Sequence, residues 1–281
     1  MIFYDAGNEP KGPTMTGSIP RADEGFDFSG TGVLIAGGTS GVGLATAVAF
    51  AQAGCRRLML VGRNEERGKR ALDHVLSTVP GAHAEFLSAD ANDPASAAET
   101  AAEAHRRLSG IDVLVNSVVA PYQPTPLHEI PLEEVRDILT QQALGPLVMS
   151  RAVLPFLREQ GSGSIVNIAS DAAKVPTPGE TVLGAAMSAI VTFSRTLALE
   201  AKRYGVRVNA ITPSLIANTG SYDRAMSQPF SKKIFGKITS QAHLGLTEPE
   251  DLANLTLFLA SPLSRLITGQ AVSVNGGISV A

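Results

Sequence analysis

The sequence predicts a single doubly wound α/β domain with a seven-stranded parallel sheet and helices on both faces, and three observations carry that expectation. Short apolar runs such as Val33-Leu34-Ile35-Ala36 stop abruptly, as strands buried on both faces do. Helix-length segments separate these runs, which calls for right-handed crossovers rather than hairpins. A chain of 281 residues with 44% hydrophobic content is long enough to bury one large core without splitting.

Taken in order, residues 1–28 carry acids, Gly and Pro and lack both the basic start and the apolar core of a signal peptide. They read as a mobile N-terminal arm whose Met1-Ile2-Phe3-Tyr4 could dock on a neighbouring subunit, with the folded domain spanning 29–281. After the first strand, glycines 37, 41 and 43 form a tight turn into an apolar helix-period segment that Gly54 ends. Such a turn brings backbone N–H groups and the positive end of a helix against a pyrophosphate, although glycines also serve turns that bind nothing. Residues 58–61 read as the second strand and 65–78 as a helix with acids in its first turn. Phe86-Leu87 leads to Asp90, and Pro94 sits where a helix begins. The fourth strand is expected at 111–116, followed by a long helix over 132–160 interrupted or bent near Gly145-Pro146. A fifth strand at 164–168, a helix over 181–204, and strands at 206–211 and 271–274 complete the pattern. Residues 214–247 read as a long irregular insertion after the carboxyl end of the sixth strand, where ligands bind in such sheets, and hence as a lid. No repeat and no transmembrane run is expected.

Several function classes are excluded by composition. A net charge of −3 supplies no general attraction to nucleic acid or anionic membrane. The one cysteine, Cys55, cannot form an internal disulfide, and no Cys/His cluster has metal-ligand spacing, so no metal and a reducing, cytoplasmic compartment are expected.

Ala36-Gly37-Gly38-Thr39-Ser40-Gly41-Val42-Gly43 resembles the TGxxxGxG loop of the short-chain dehydrogenase/reductase family. Asp90 is similar to the family's adenine-contacting Asp, Asn116 to the first residue of its NNAG strand end, and Ser164-Ile165-Val166-Asn167-Ile168-Ala169-Ser170 to the strand that delivers its catalytic Ser. Val208-Asn209-Ala210-Ile211-Thr212-Pro213, Thr268-Gly269-Gln270 and Asn275-Gly276-Gly277 resemble its late motifs. The resemblance runs from about Ser29 onward and implies a Rossmann-type fold and a nicotinamide cofactor. It places Gly37, Thr39, Ser40, Gly41, Val42, Gly43, Arg63, Asn64, Asp90, Ala91, Asn116, Pro213 and Ile216 around that cofactor. Where NAD-preferring relatives carry an acid, this chain has Gly62 and Arg63: a small residue leaves room for a 2′-phosphate and a guanidinium pairs with it, so NADP(H) is favoured over NAD(H). Arg63 could equally be an ordinary surface residue opening a charged helix.

The resemblance breaks at the chemistry. Ser170 matches the family's Ser, but the YxxxK stretch reads Leu183-Gly184-Ala185-Ala186-Met187 and the Asn position is Gln142. Leu183 can move no proton, and Met187 has no charge with which to depress a neighbour's pKa or grip a ribose. Ser170, Gln142, Asp171 and Tyr122 are the candidate catalytic groups, with Lys174 and Glu180 as further polar neighbours. A structural role is open for each: Asp171 and Lys174 as solvated loop residues, Tyr122 as packing, Gln142 at a helix bend. Leu183, Met187, Glu180, Leu215 and Met226, with Tyr122, Phe230 and Phe235, are expected to wall a largely apolar substrate pocket. The lid's Ser231-Lys232-Lys233 could touch an anionic group or simply be solvated. Three functions remain: an NADP(H)-dependent reductase of an activated C=N, C=C or C=O bond in a hydrophobic substrate, a non-redox cyclase or isomerase, and an inactive subunit. The resemblance also implies a homo-oligomer, dimer or tetramer, paired through the helices at 132–160 and 181–204.

Overall fold

The computed structural model describes residues 26–281. Seven strands form one parallel sheet in the order β3-β2-β1-β4-β5-β6-β7. They are β1 Gly32–Ala36, β2 Arg57–Gly62, β3 Ala84–Ser88, β4 Val113–Asn116, β5 Gly163–Ile168, β6 Val206–Pro213 and β7 Ala271–Val274. Helices α1 Gly41–Gln52, α2 Glu65–Thr78, α3 Pro94–Arg107, α4 Glu134–Gln160, α5 Thr181–Ala201, α6 Gly220–Ser227, α7 Pro229–Thr239 and α8 Pro249–Ala260 connect them. The order reverses direction between β1 and β4, so a crevice opens at the carboxyl ends of those two strands, where ligands bind in doubly wound sheets.

The period-two alternation of buried strands divides the core into two layers. Val33 and Ile35 of β1 join Leu58, Leu60, Val113 and Val115 under α1, α2 and α8. Leu34 and Ala36 join Met59, Val61, Leu114 and Ile165 under α3, α4 and α5. Between α4, α5 and the sheet, Asn116 Nδ2 donates to Asn167 Oδ1 (2.8 Å) and Ser150 Oγ (3.1 Å), and Asn167 Nδ2 donates to Ser194 Oγ (2.8 Å). Buried amides without such partners would each cost about 1–3 kcal/mol, so this network pins β4 and β5 to both helices.

The structure departs from the expected layout at four points. Residues 214–247 are not irregular: α6 and α7 lie within them, capped by Thr219 and begun by Pro229, and Leu215, Ala225 and Phe235 form a small core of their own. Helix α4 runs unbroken through Pro146. The proline removes one backbone bond, but Ala143, Met149 and Val153 on either side are buried and hold the helix in place. Helix α8, which the sequence pattern did not single out, starts with a capping box between Glu248 and Asp251. Phe28, assigned to the arm, is only 2% exposed and meets Phe50 edge-on at 4.8 Å, so the folded core begins before Ser29; the arm's remainder through residue 25 lies outside the described residues. Thr181–Tyr204 is long and apolar enough by mean hydropathy (1.6) to cross a membrane, a test that core helices of folded domains also pass. Here it packs against α4 and β6, burying Ile190, Leu197 and Ala198.

Candidate active site

Two hollows lie along the carboxyl edge of the sheet. The smaller, about 180 Å³, is lined by Gly37, Thr39, Ser40, Arg63, Asn64, Asp90 and Ala91 of the expected cofactor set, together with Arg67 and the 117–119 segment after β4. The glycine turn is tight for a steric reason. A Cβ on Gly43 would stand 2.2 Å from Gly37 O, and one on Gly37, at φ +81, would stand 2.4 Å from Ser117 O. Helix α1 therefore approaches β1 closely, with no acid in its first turn and no side chain capping it from Ser40. Its first N–H groups are thus left for an anion, and the positive helix end adds to their pull.

Gly62 lines the hollow and has a further reason to lack a side chain. A Cβ there would lie 2.8 Å from the Thr39 methyl, so the glycine lets the loop pack on β2. Arg63 lies just before the Asn64 cap of α2 and Arg67 in the helix's first turn, and both line the hollow. Arg67 was not singled out in the sequence; its place in the turn that follows the Asn64 cap was the available signal. Arg63 Nη1 lies 3.8 Å from Asp90 Oδ2 in an exposed pair that holds the guanidinium only weakly. Asn64 Oδ1 accepts from Arg67 N (2.8 Å) as the α2 cap. The donor set, two guanidinium groups and an uncapped helix end, fits the phosphates of a dinucleotide. Among the other expected cofactor neighbours, Val42 packs in the core with Val166 and Ile211, the Asn116 amide nitrogen is spent in the buried network while its Oδ1 has no partner among the described residues, Pro213 is buried at the end of β6, and Ile216 pairs with Thr247.

The larger hollow, about 610 Å³, is lined by Ser170, Asp171, Glu180 and Leu215 of the expected set, walled by Val175, Pro176 and Pro178 on one side and by α7 on the other. Leu183, Met187 and Met226 do not line it. Leu183 and Met187 pack into an apolar cluster with Ala143, Leu147, Ala169 and Ile190, and Met226 belongs to the lid's own core. Ser170 Oγ accepts from Ala172 N (3.2 Å), which starts a short 3₁₀ turn and leaves the hydroxyl proton free to donate. Asp171, 5% exposed, is not a solvated loop residue: its Oδ2 accepts from Asn275 (3.1 Å) and Ser279 (2.6 Å). Lys174 Nζ lies 4.0 Å from Asp171 Oδ1 and donates to Ser273 Oγ (2.5 Å) and Ala281 O (2.6 Å). Gln142 is buried; its Nε2 donates to Ala120 O (3.0 Å), and its Oε1 has no partner among the described residues.

Glu180 is the most perturbed acid at this site. Burial, reinforced by the nearby Asp171 charge and opposed by a hydrogen bond from Thr177, pushes its carboxyl up to about 7. It precedes α5 without capping it, so the carboxyl is not consumed by the helix end. Burial and the Glu180 charge push the Tyr122 phenol up to about 12. That phenol donates to Gly179 O at 2.7 Å, and Thr125 N donates to the same carbonyl at 2.9 Å. Tyr122 therefore keeps its proton at neutral pH and braces the loop that presents Glu180, and it does not line the larger hollow.

A family model described as enoyl-(acyl carrier protein) reductase matches residues 36–279. An uncharacterized oxidoreductase of Thermotoga maritima is 30% identical over 255 residues, covering 90% of this chain and 98% of its own length. Levodione reductase superposes with a TM-score of 0.83 at 30% identity, covering 89% of this chain and 98% of that one. NAD+-bound xylitol dehydrogenase superposes with a TM-score of 0.80 at 26% identity, covering 90% of this chain and all (100%) of that one.

Proposed function

Because the chain belongs to the short-chain dehydrogenase/reductase family of oxidoreductases, we propose that it is an NADP(H)-dependent reductase acting on an activated C=N, C=C or C=O bond of a hydrophobic substrate through a non-standard active site. The observation that carries this reading is the pair of hollows on the carboxyl side of the sheet, one edged by Arg63 and Arg67 and the other largely apolar with Ser170 and Glu180 on its wall. When bound, the cofactor supplies or accepts a hydride. Arg63 and Arg67 would hold the 2′-phosphate, and the α1 N–H groups the pyrophosphate. Leu183 and Met187, packed into apolar surroundings where relatives carry Tyr and Lys, contribute no proton chemistry. Ser170 donates a hydrogen bond to the reacting group, and Glu180, poised near neutrality, gives or takes the proton. Positioning in the apolar cavity supplies the rest of the barrier reduction, which suits an already activated acceptor.

The same arrangement supports a second reading, a cyclase or isomerase in which Glu180 moves protons and no hydride is transferred; turnover with NADPH absorbance unchanged would select it. Exposed Leu139 on α4 and Leu199 on α5 support homo-oligomeric assembly. The single buried thiol of Cys55 suits a cytoplasmic setting. Titrating the protein with NADPH and NADH by cofactor fluorescence tests the central reading. NADPH is expected to bind in the micromolar range and to weaken by roughly tenfold or more in Arg63→Ala, with NADH little changed. Absence of binding by either nucleotide would refute it.

A further inference from the structure

Helix α7 lines the larger cavity with Phe230, Lys233, Ile234, Phe235, Lys237 and Ile238, of which all but Phe235 follow one another at a spacing of three and four along the helix. An apolar stripe is what a lid over a hydrophobic cavity needs; two lysines inside it are not. Lys233 and Lys237 stand about 6 Å apart on the helix surface. Neither is in an ion pair or side-chain hydrogen bond among the described residues. The cavity's own carboxyl groups do not serve them. Asp171 is occupied by Asn275, Ser279 and Lys174, and Glu180 lies buried in the wall at the start of α5. Lys232, the intervening cation, does not line the cavity, so the pair is directed there by helix geometry rather than by a diffuse basic surface.

The cavity lining thus carries two kinds of polar group, hydroxyl and carboxyl groups at Ser170 and Glu180 and ammonium groups on exposed residues of α7, together with apolar Pro178, Phe230, Ile234 and Ile278. We propose that the substrate is an apolar molecule carrying one acidic group, bound with that group between Lys233 and Lys237 and its reacting end facing Ser170. This rests on the reductase or isomerase reading for the reacting end, while the anion subsite stands on the cavity alone. Long lysine stems lie along an apolar ligand while their heads meet its anion at the water boundary, so charge selects and apolar contact binds.

Two fluorescent probes of nearly the same shape, 1-anilinonaphthalene-8-sulfonate and uncharged N-phenyl-1-naphthylamine, separate these contributions. In titrations without nucleotide, the wild type is expected to prefer the sulfonate by roughly tenfold. The Lys233→Ala/Lys237→Ala protein should lose that preference while keeping its affinity for the uncharged probe, and Lys232→Ala should behave as wild type. Decanoate should displace the sulfonate from the wild type. Equal affinity for both probes, no saturable binding, or a preference that survives the double substitution, as binding in the nucleotide hollow would give, overturns the proposal. Because nucleotide is absent, the result is independent of whether NADPH binds.

Discussion

Glu180 shows how a residue's chemistry is decided by its surroundings. In water a glutamate titrates near 4.5; here burial holds the acid form to about 7. The folded protein therefore carries more protons than the unfolded chain between those values, so rising pH removes stability through that window, and the penalty is complete above the folded value. Glu180→Gln lacks the penalty. It is expected to be more stable than wild type by about 1–3 kcal/mol at about pH 8.5, with the difference shrinking toward about pH 5. Urea unfolding at the two pH values measures this, and an equal offset at both would mean that the carboxyl is not strained by burial. Gly62 teaches a related lesson: the residue type suggested space for a phosphate, and its closeness to the Thr39 side chain adds a packing reason within the loop itself.

At the scale of elements, α8 depends on a residue far from it in sequence. Arg207 on β6 donates from Nη1 to Leu259 O (2.6 Å) and Ser264 Oγ (2.8 Å), and from Nη2 to Ala260 O and Ser261 O (both 3.2 Å). These are the carbonyls that a helix end leaves unsatisfied, and a cation there also meets the negative end of the helix. Burial lowers the guanidinium to about 10, so it stays charged at neutral pH. Arg207→Leu would orphan several buried carbonyls and is expected to cost about 2–4 kcal/mol in urea unfolding. A loss below about 0.5 kcal/mol would mean that water replaces the guanidinium at no cost. Since α8 packs on α1, the same contact steadies the helix whose first turn faces the nucleotide hollow.

At the scale of the molecule, the carboxyl edge of the sheet is closed by segments from distant parts of the chain. The α6–α7 segment is held by Gln123, whose Nε2 donates to Ser231 Oγ at 3.0 Å, and the segment after β7 is tied down by Asp171 and Lys174. Asp171→Ala should release Asn275 and Ser279 together. The expected cost is about 1–3 kcal/mol, with amide hydrogen exchange accelerating over residues 275–281 more than over β1 or α4. Uniform acceleration throughout the chain would point instead to a global loss of stability.

The amino-acid sequence by itself determined the parallel sheet, because strands buried on both faces must be continuous apolar runs such as Leu58-Met59-Leu60-Val61, and it determined the glycine turn, because only residues without a Cβ fit there. It also placed Ser170 and Glu180 near one another in the chain order that brings them to one cavity. The lid's helices, the burial of Asp171, the bracing role of Tyr122 and the retreat of Leu183, Met187 and Met226 from the cavity wall were decided only in the tertiary structure. Periodicity reports which face of an element is apolar, but two apolar surfaces of one chain, a core and a pocket wall, look alike until packing decides which of them other side chains cover.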